Sequence, residues 1–143
     1  MFSRLRAMLG RGRPRLTDAT DSAFHPGEVW RYHARPEEPG STFTVLRVDR
    51  DPKIGNIVHV RVDGVRIPNP HHPSGFSGEI MHLPFDERAV AGSVSELVRR
   101  GVPIPDHEAG YAGWRRAFDA GEAGVFTISV GEAVAVMDRA ING

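Results

Sequence analysis

Seven histidines in 143 residues, with no cysteine beside them, hold most of the chemistry that this chain could perform. His59, His71, His72 and His82 fall close together in sequence. Imidazole can bind a metal, carry a proton near neutral pH, or give or take a hydrogen bond. With Asp63 or Glu79, these histidines can be drawn as a two-histidine, one-carboxylate metal site. A metal-dependent hydrolase using His59, His71, His72 and His82 is the enzyme reading that follows. The spacing does not support it. There is no His-Glu-x-x-His and no His-x-His, and the adjacent His71 and His72 point apart in an extended segment.

His59, Arg61 and Asp63 recur at period two, which places them on one face of a strand. Arginine suits bidentate recognition of carboxylate and phosphate groups, so this face could be a polar platform for an anion or an acidic partner. A plainer reading stands beside it. Phe43, Val45, Arg47 and Asp49 form one alternating set on the preceding segment. In register, Arg47, Arg61, Asp49 and Asp63 would make cross-strand ion pairs, each worth a fraction of ~1 kcal/mol at a surface. Tyr111, Trp114 and Phe118 share one helical stripe, of which Trp114 and Phe118 read as core, while His107 and Tyr111, one turn apart at the start of the helix, could reach solvent. Nucleophile-elbow, P-loop and dinucleotide-binding motifs are all absent.

The elements that must position these residues are legible in outline. Ser41–Asp49 and Asn56–Asp63 are β-branched runs joined by Arg50–Gly55, which is a strand, turn, strand signal. Glu28–His33 precedes them as a further strand, so the sheet opens as an antiparallel meander. Val58, Val60 and Val62 face a core, expected to include Trp114 and Phe118. Gly64–Gly78 holds three prolines and predicts a long irregular loop, of which Pro68–Gly78, carrying His71 and His72 and flanked by His59 and His82, is the expected binding segment. Glu79–Phe85 reads as an edge strand because Pro84 lacks a donor. Asp86 caps a helix, Ser93-x-x-Glu96 has capping-box spacing for a second helical start ending at Gly101, and Asp106 caps a helix to about Ala120. Val125–Ser129 reads as a fifth strand. Ser129-x-x-Glu132 opens a last helix whose core stripe is Val130, Val134, Met137 and Ile141. The fold class is therefore α+β: an antiparallel sheet of about five strands with two or three helices in the C-terminal half.

A chain of this length suits one domain. Charge balances at 18 basic and 18 acidic residues, but five arginines against two aspartates fall within residues 1–23. That segment reads as a flexible basic arm, dispensable for folding, before a single domain from 24 to 143. Association with nucleic acid or an anionic membrane through the arm is a further reading, while the body carries no nucleic-acid signal. No run reaches the ~18 apolar residues of a membrane span, and Met1–Leu9 mixes arginines among its apolar residues unlike an export leader. Lack of cysteine fits a cytoplasmic setting.

Gly27-x-Val-Trp-x-Tyr, Arg35-Pro-x-Glu, Ser41-Thr-Phe-x-Val-Leu and Gly55-Asn-Ile-Val-His-Val together resemble small bacterial proteins with no agreed activity. The resemblance covers the first half of the body. It implies a bacterial cytoplasmic protein and brings no catalytic residue; an antitoxin-like or immunity-like role is an analogy at the level of the fold. The sequence thus points to a non-enzymatic binding module using His59, Arg61, Asp63, His71, His72 and His82. Its expected partner is a protein or a small anionic ligand, with no cofactor; a homodimer is compatible.

Overall fold

A computed structural model describes residues 15–143. Strands β3 (Thr42–Asp51) and β4 (Gly55–Pro68) pair antiparallel from Thr42 opposite Asp63 to Asp51 opposite Gly55. Strand β5 (Phe76–Asp86) returns along β4, and β2 (Val29–Tyr32) lies on the far side of β3. Strand β6 (Val94–Arg99) pairs with β2, giving the order β5-β4-β3-β2-β6. The fold is α+β, with helices α1 (Glu87–Ala91), α2 (Glu108–Asp119) and α3 (Val130–Asn142) in its second half. Among the described residues, no helix is long and apolar enough to cross a membrane.

Helix α3 covers one face of the sheet and α2 the other. Val58, Val60 and Val62 are buried as their alternation requires, but they meet Val130, Ala133 and Val134 of α3. Phe118 and Trp114 instead pack over Ile57 on the opposite face, which corrects the expected grouping. Helix α3 starts where the sequence places it. Ser129 accepts from the Glu132 amide while the Glu132 carboxylate accepts from the Ser129 amide. Gly131 lets that first turn rest on β2's exit, since a Cβ there would meet the His33 carbonyl oxygen at 2.8 Å. Ile141, expected in the stripe, is exposed at the far end.

Other expectations change. Gly64–Gly78 is mostly sheet: β4 runs to Pro68 and β5 begins at Phe76, leaving Asn69–Gly75 as a hairpin tip. Gly64 makes this continuation feasible, holding φ at +79° in a kink where a Cβ would stand 3.2 Å from Ser41 Cα. Ser93 does not open a helix over Leu97 and Val98; those residues belong to β6, drawn to the free edge of β2. Its hydroxyl caps a different helix, accepting from the Val130 amide at 3.0 Å. The expected strand at Val125–Ser129 reduces to one parallel bridge, with Phe126 bonding Pro84 and Asp86 on β5's outer edge.

The fold also begins before Phe24. Thr17–Asp18 forms β1, paired with Arg50 and Asp49 of β3, and Leu16 is buried with Ile57 and Phe118. Arg15 lies over the Phe118 ring and Ser22 bonds Glu87. Residues 15–23 are therefore part of the domain and not of the arm; the earlier part of the arm lies outside the described residues. Leu16→Ala is expected to lower unfolding free energy by about 2 kcal/mol in a urea titration, the low end for leucine because a peripheral pocket can partly collapse. A loss below ~0.5 kcal/mol would return this segment to the arm.

Candidate functional site

Two β-bulges aim the polar side chains. Between Val45 and Arg47 the pairing with β4 slips by one residue, so Leu46 is extra. Phe43 and Val45 consequently join the α3-side core opposite Val62 and Val60, while Arg47 and Asp49 turn to the α2 side with His59. The set Phe43, Val45, Arg47 and Asp49 is therefore split, and the expected cross-strand ion pairs do not form. Arg47 reaches Asp49 and Arg61 reaches Asp63 along their own strands, at 3.4 and 3.1 Å. In β5, Met81 and His82 together oppose the single residue Arg61, which turns His82 toward His59.

The result is a buried chain of hydrogen bonds. His59 is 0% exposed, with Nε2 at 2.9 Å from Asp49 Oδ2 and Nδ1 at 2.9 Å from His82 Nε2. Tyr111 donates its hydroxyl to the same Asp49 oxygen at 2.8 Å, and Arg115 donates to that hydroxyl at 3.2 Å. The Arg47 guanidinium lies 3.9 Å from the centre of the Tyr111 ring. Trp114 and Tyr111 meet His59 edge-on, with centroids 4.8 and 5.0 Å away, so α2 roofs the imidazole.

Burial pushes the Asp49 carboxyl up, but bonds from His59 and Tyr111 and the charge of Arg47 outweigh it and hold it below its ordinary value. Asp49 is thus a carboxylate and can only accept. Burial pushes His59 down more than Asp49 raises it, so His59 is neutral. Its proton must sit on Nε2 facing Asp49, which leaves Nδ1 as an acceptor. His82 therefore donates from Nε2 and keeps an open lone pair on Nδ1. Burial, helped by His59 and His107, brings His82 down to about 4.

His82 lines a cavity of about 310 Å³ with Met81, Asp106, His107, Glu108 and Gly110. Gly110 allows α2 to approach, since a Cβ there would stand 3.4 Å from His82 Cβ. No close backbone meets Gly113, and its glycine has no explanation in the packing. A larger cavity of about 520 Å³ lies beside Trp30 and Arg100, but its buried acid, Glu28, already has both oxygens bonded by His25 and Trp30.

Of the residues singled out by sequence, the fold brings together His59 and His82. Arg61 and Asp63 share the strand face but bond each other, with Arg61 reaching only Met81 Sδ beyond that pair. His71 and His72 sit exposed at the hairpin tip, bonded to Asn69 and Ser74. That tip begins ten residues past His59, on the order of 30 Å of extended chain. The four histidines thus do not converge, and among the described residues no group of three or more histidines and acids is spaced to hold a metal ion. Asp49 and Tyr111 were not expected at the centre. The available signal was an acid embedded in an apolar strand and a tyrosine one turn before Trp114. No family model matches the chain, and neither a curated protein nor a solved structure matches it, so the site is read from its own geometry.

Proposed function

We propose that the chain is a non-enzymatic binding module whose recognition site is the cleft between the β5 bulge and the start of α2. One observation carries this reading: the Asp49–His59–His82 chain ends in a cleft, on an imidazole with an open acceptor nitrogen. A network serving only to fasten α2 would need no opening at its end. The same chain could serve a general base, but a base held near 4 is mostly unprotonated and weak at neutral pH, where catalysis favours a value close to ambient. Binding is the better use of such a group. The hairpin tip is a secondary contact surface at most, because it is an exposed bonded turn in which the His72 imidazole is engaged by Ser74. A cysteine-free bacterial cytoplasmic protein with a protein or small-molecule partner is the setting that fits.

The test is chemical-shift mapping of labelled full-length protein with three small probes: acetate, acetamide and methylguanidinium. Shifts are expected to concentrate at Met81, His82 and His107–Gly110 for at least one probe, and to vanish in His82→Ala. Shifts confined to Asn69–Gly75, or to the cavity beside Trp30, would overturn the assignment.

A further inference from the structure

We infer that the cleft beside His82 takes a cationic hydrogen-bond donor, a guanidinium or ammonium group, and rejects anions. The inference rests on the cleft being the binding site and adds the chemistry of what enters. The wall of the cleft is largely apolar, and the polar side chains that border it present acceptors. His82 offers Nδ1, since its Nε2 proton is engaged by His59. His107 directs Nδ1 at the Pro105 carbonyl at 2.8 Å, and a carbonyl can only accept, so the proton is there and Nε2 is left as a second acceptor. Asp106 and Glu108 add two carboxylates, both exposed.

Opposing features are weaker. The start of α2 contributes roughly half a positive charge, but Asp106 already accepts from the Glu108 amide and Glu108 lies in the first turn. Two full negative charges outweigh half a positive one. Arg61 touches Met81 on the rim, yet its guanidinium is paired with Asp63. An anion would meet two lone pairs and two carboxylates with no donor side chain, whereas a guanidinium can satisfy several acceptors at once. Among the described residues the acids and imidazoles are not spaced as a metal's ligands, so an organic cation fits better than an ion. A free amine or guanidine and the arginine or lysine side chain of a protein would be recognised by the same atoms.

The experiment compares acetate, acetamide, methylguanidinium and the peptide Gly-Gly-Arg-Gly-Gly by shift titration at pH 7. Methylguanidinium is expected to saturate the His82 and His107–Gly110 signals at a concentration about tenfold below acetate, about 1.4 kcal/mol. Asp106→Asn/Glu108→Gln should erase that preference while His82 signals stay native. Binding of the peptide at least as tight as methylguanidinium would place the cation on a protein partner, and weaker binding would favour a free small molecule. If acetate or acetamide binds the cleft as well as the cation does, the cationic assignment fails while the cleft stands as the site. If no probe shifts these residues, both fail.

Discussion

Asp49→Ala is expected to lower the unfolding free energy by about 3–5 kcal/mol, because it leaves two buried donors without an acceptor at about 1–3 kcal/mol each. Three donors depend on this carboxylate: His59 Nε2–H, the Tyr111 hydroxyl and the Arg47 guanidinium. Asp49 and His59 are 1% and 0% exposed, so water cannot replace what is lost. A buried donor without a partner costs about 1–3 kcal/mol, and two are created at once beside a guanidinium. Urea unfolding at pH 7 measures the loss, and Asp49→Asn, which keeps one acceptor oxygen, should fall between alanine and the parent. Tyr111→Phe removes one bond and should cost about 1 kcal/mol. If Asp49→Ala unfolds within ~1 kcal/mol of the parent, the chain from Asp49 to His82 does not hold α2 on the sheet.

Stability should fall on the acid side of neutrality, by on the order of 3 kcal/mol between pH 7 and pH 4. His82 is held near 4 against an ordinary 6.5, and His59 is lowered as well. Below 6.5 the unfolded chain therefore takes up protons that the fold refuses, and the native state loses ground until about 4. Each unit of such a gap is worth about 1.4 kcal/mol, discounted here for the partial exposure of His82. The groups facing this pair are Asp49, Tyr111, Arg47 and His107. Asp49 acts in the same direction at the acid end. Its carboxyl is lowered, so its contribution is present above about 4 and is lost as pH falls through its folded value. His82→Gln should flatten the slope between pH 6.5 and 4.5. A urea midpoint that stays constant from pH 7 to pH 5 in the parent would show that the imidazoles titrate freely.

Much of this arrangement was legible locally, where one residue's neighbours decide its state. The alternation of Val58, Val60 and Val62 against His59, Arg61 and Asp63 gave the two faces of β4. The Ser129–Glu132 pair gave the start of α3. Failures came where a distant partner decides. Ser93-x-x-Glu96 fits a capping box and Val94–Arg99 also fits a strand; pairing with β2, some sixty residues earlier, selects the strand. Leu46 is the sharper case. An apolar residue inserted among Val45, Arg47 and Val48 leaves the local pattern intact, so nothing nearby announces the bulge. The histidine pair was assembled from residues already noticed. The acid and tyrosine that orient it belong to β3 and α2, which only tertiary packing unites.

Leu46 has a consequence for how the chain tolerates changes in length. A strand encodes its two faces by parity, odd against even, and one extra residue exchanges them. Residues 42–45 and 47–51 therefore obey opposite parities, and deletion of Leu46 would bring them into one frame. Val45, Arg47, Val48 and Asp49 would then alternate without interruption, so Arg47 and Asp49 would stay on the His59 side and Val48 on the Val58 side. What would be lost is the Leu46 side chain, buried at 2% exposure, and the local twist of the bulge, while both faces keep their residues. At the hairpin tip, by contrast, doubling the loop costs only about 0.6 kcal/mol in closure entropy. The protein is thus indifferent to chain length at Asn69–Gly75, and at Leu46 a deletion costs one buried side chain without exchanging the faces of β3.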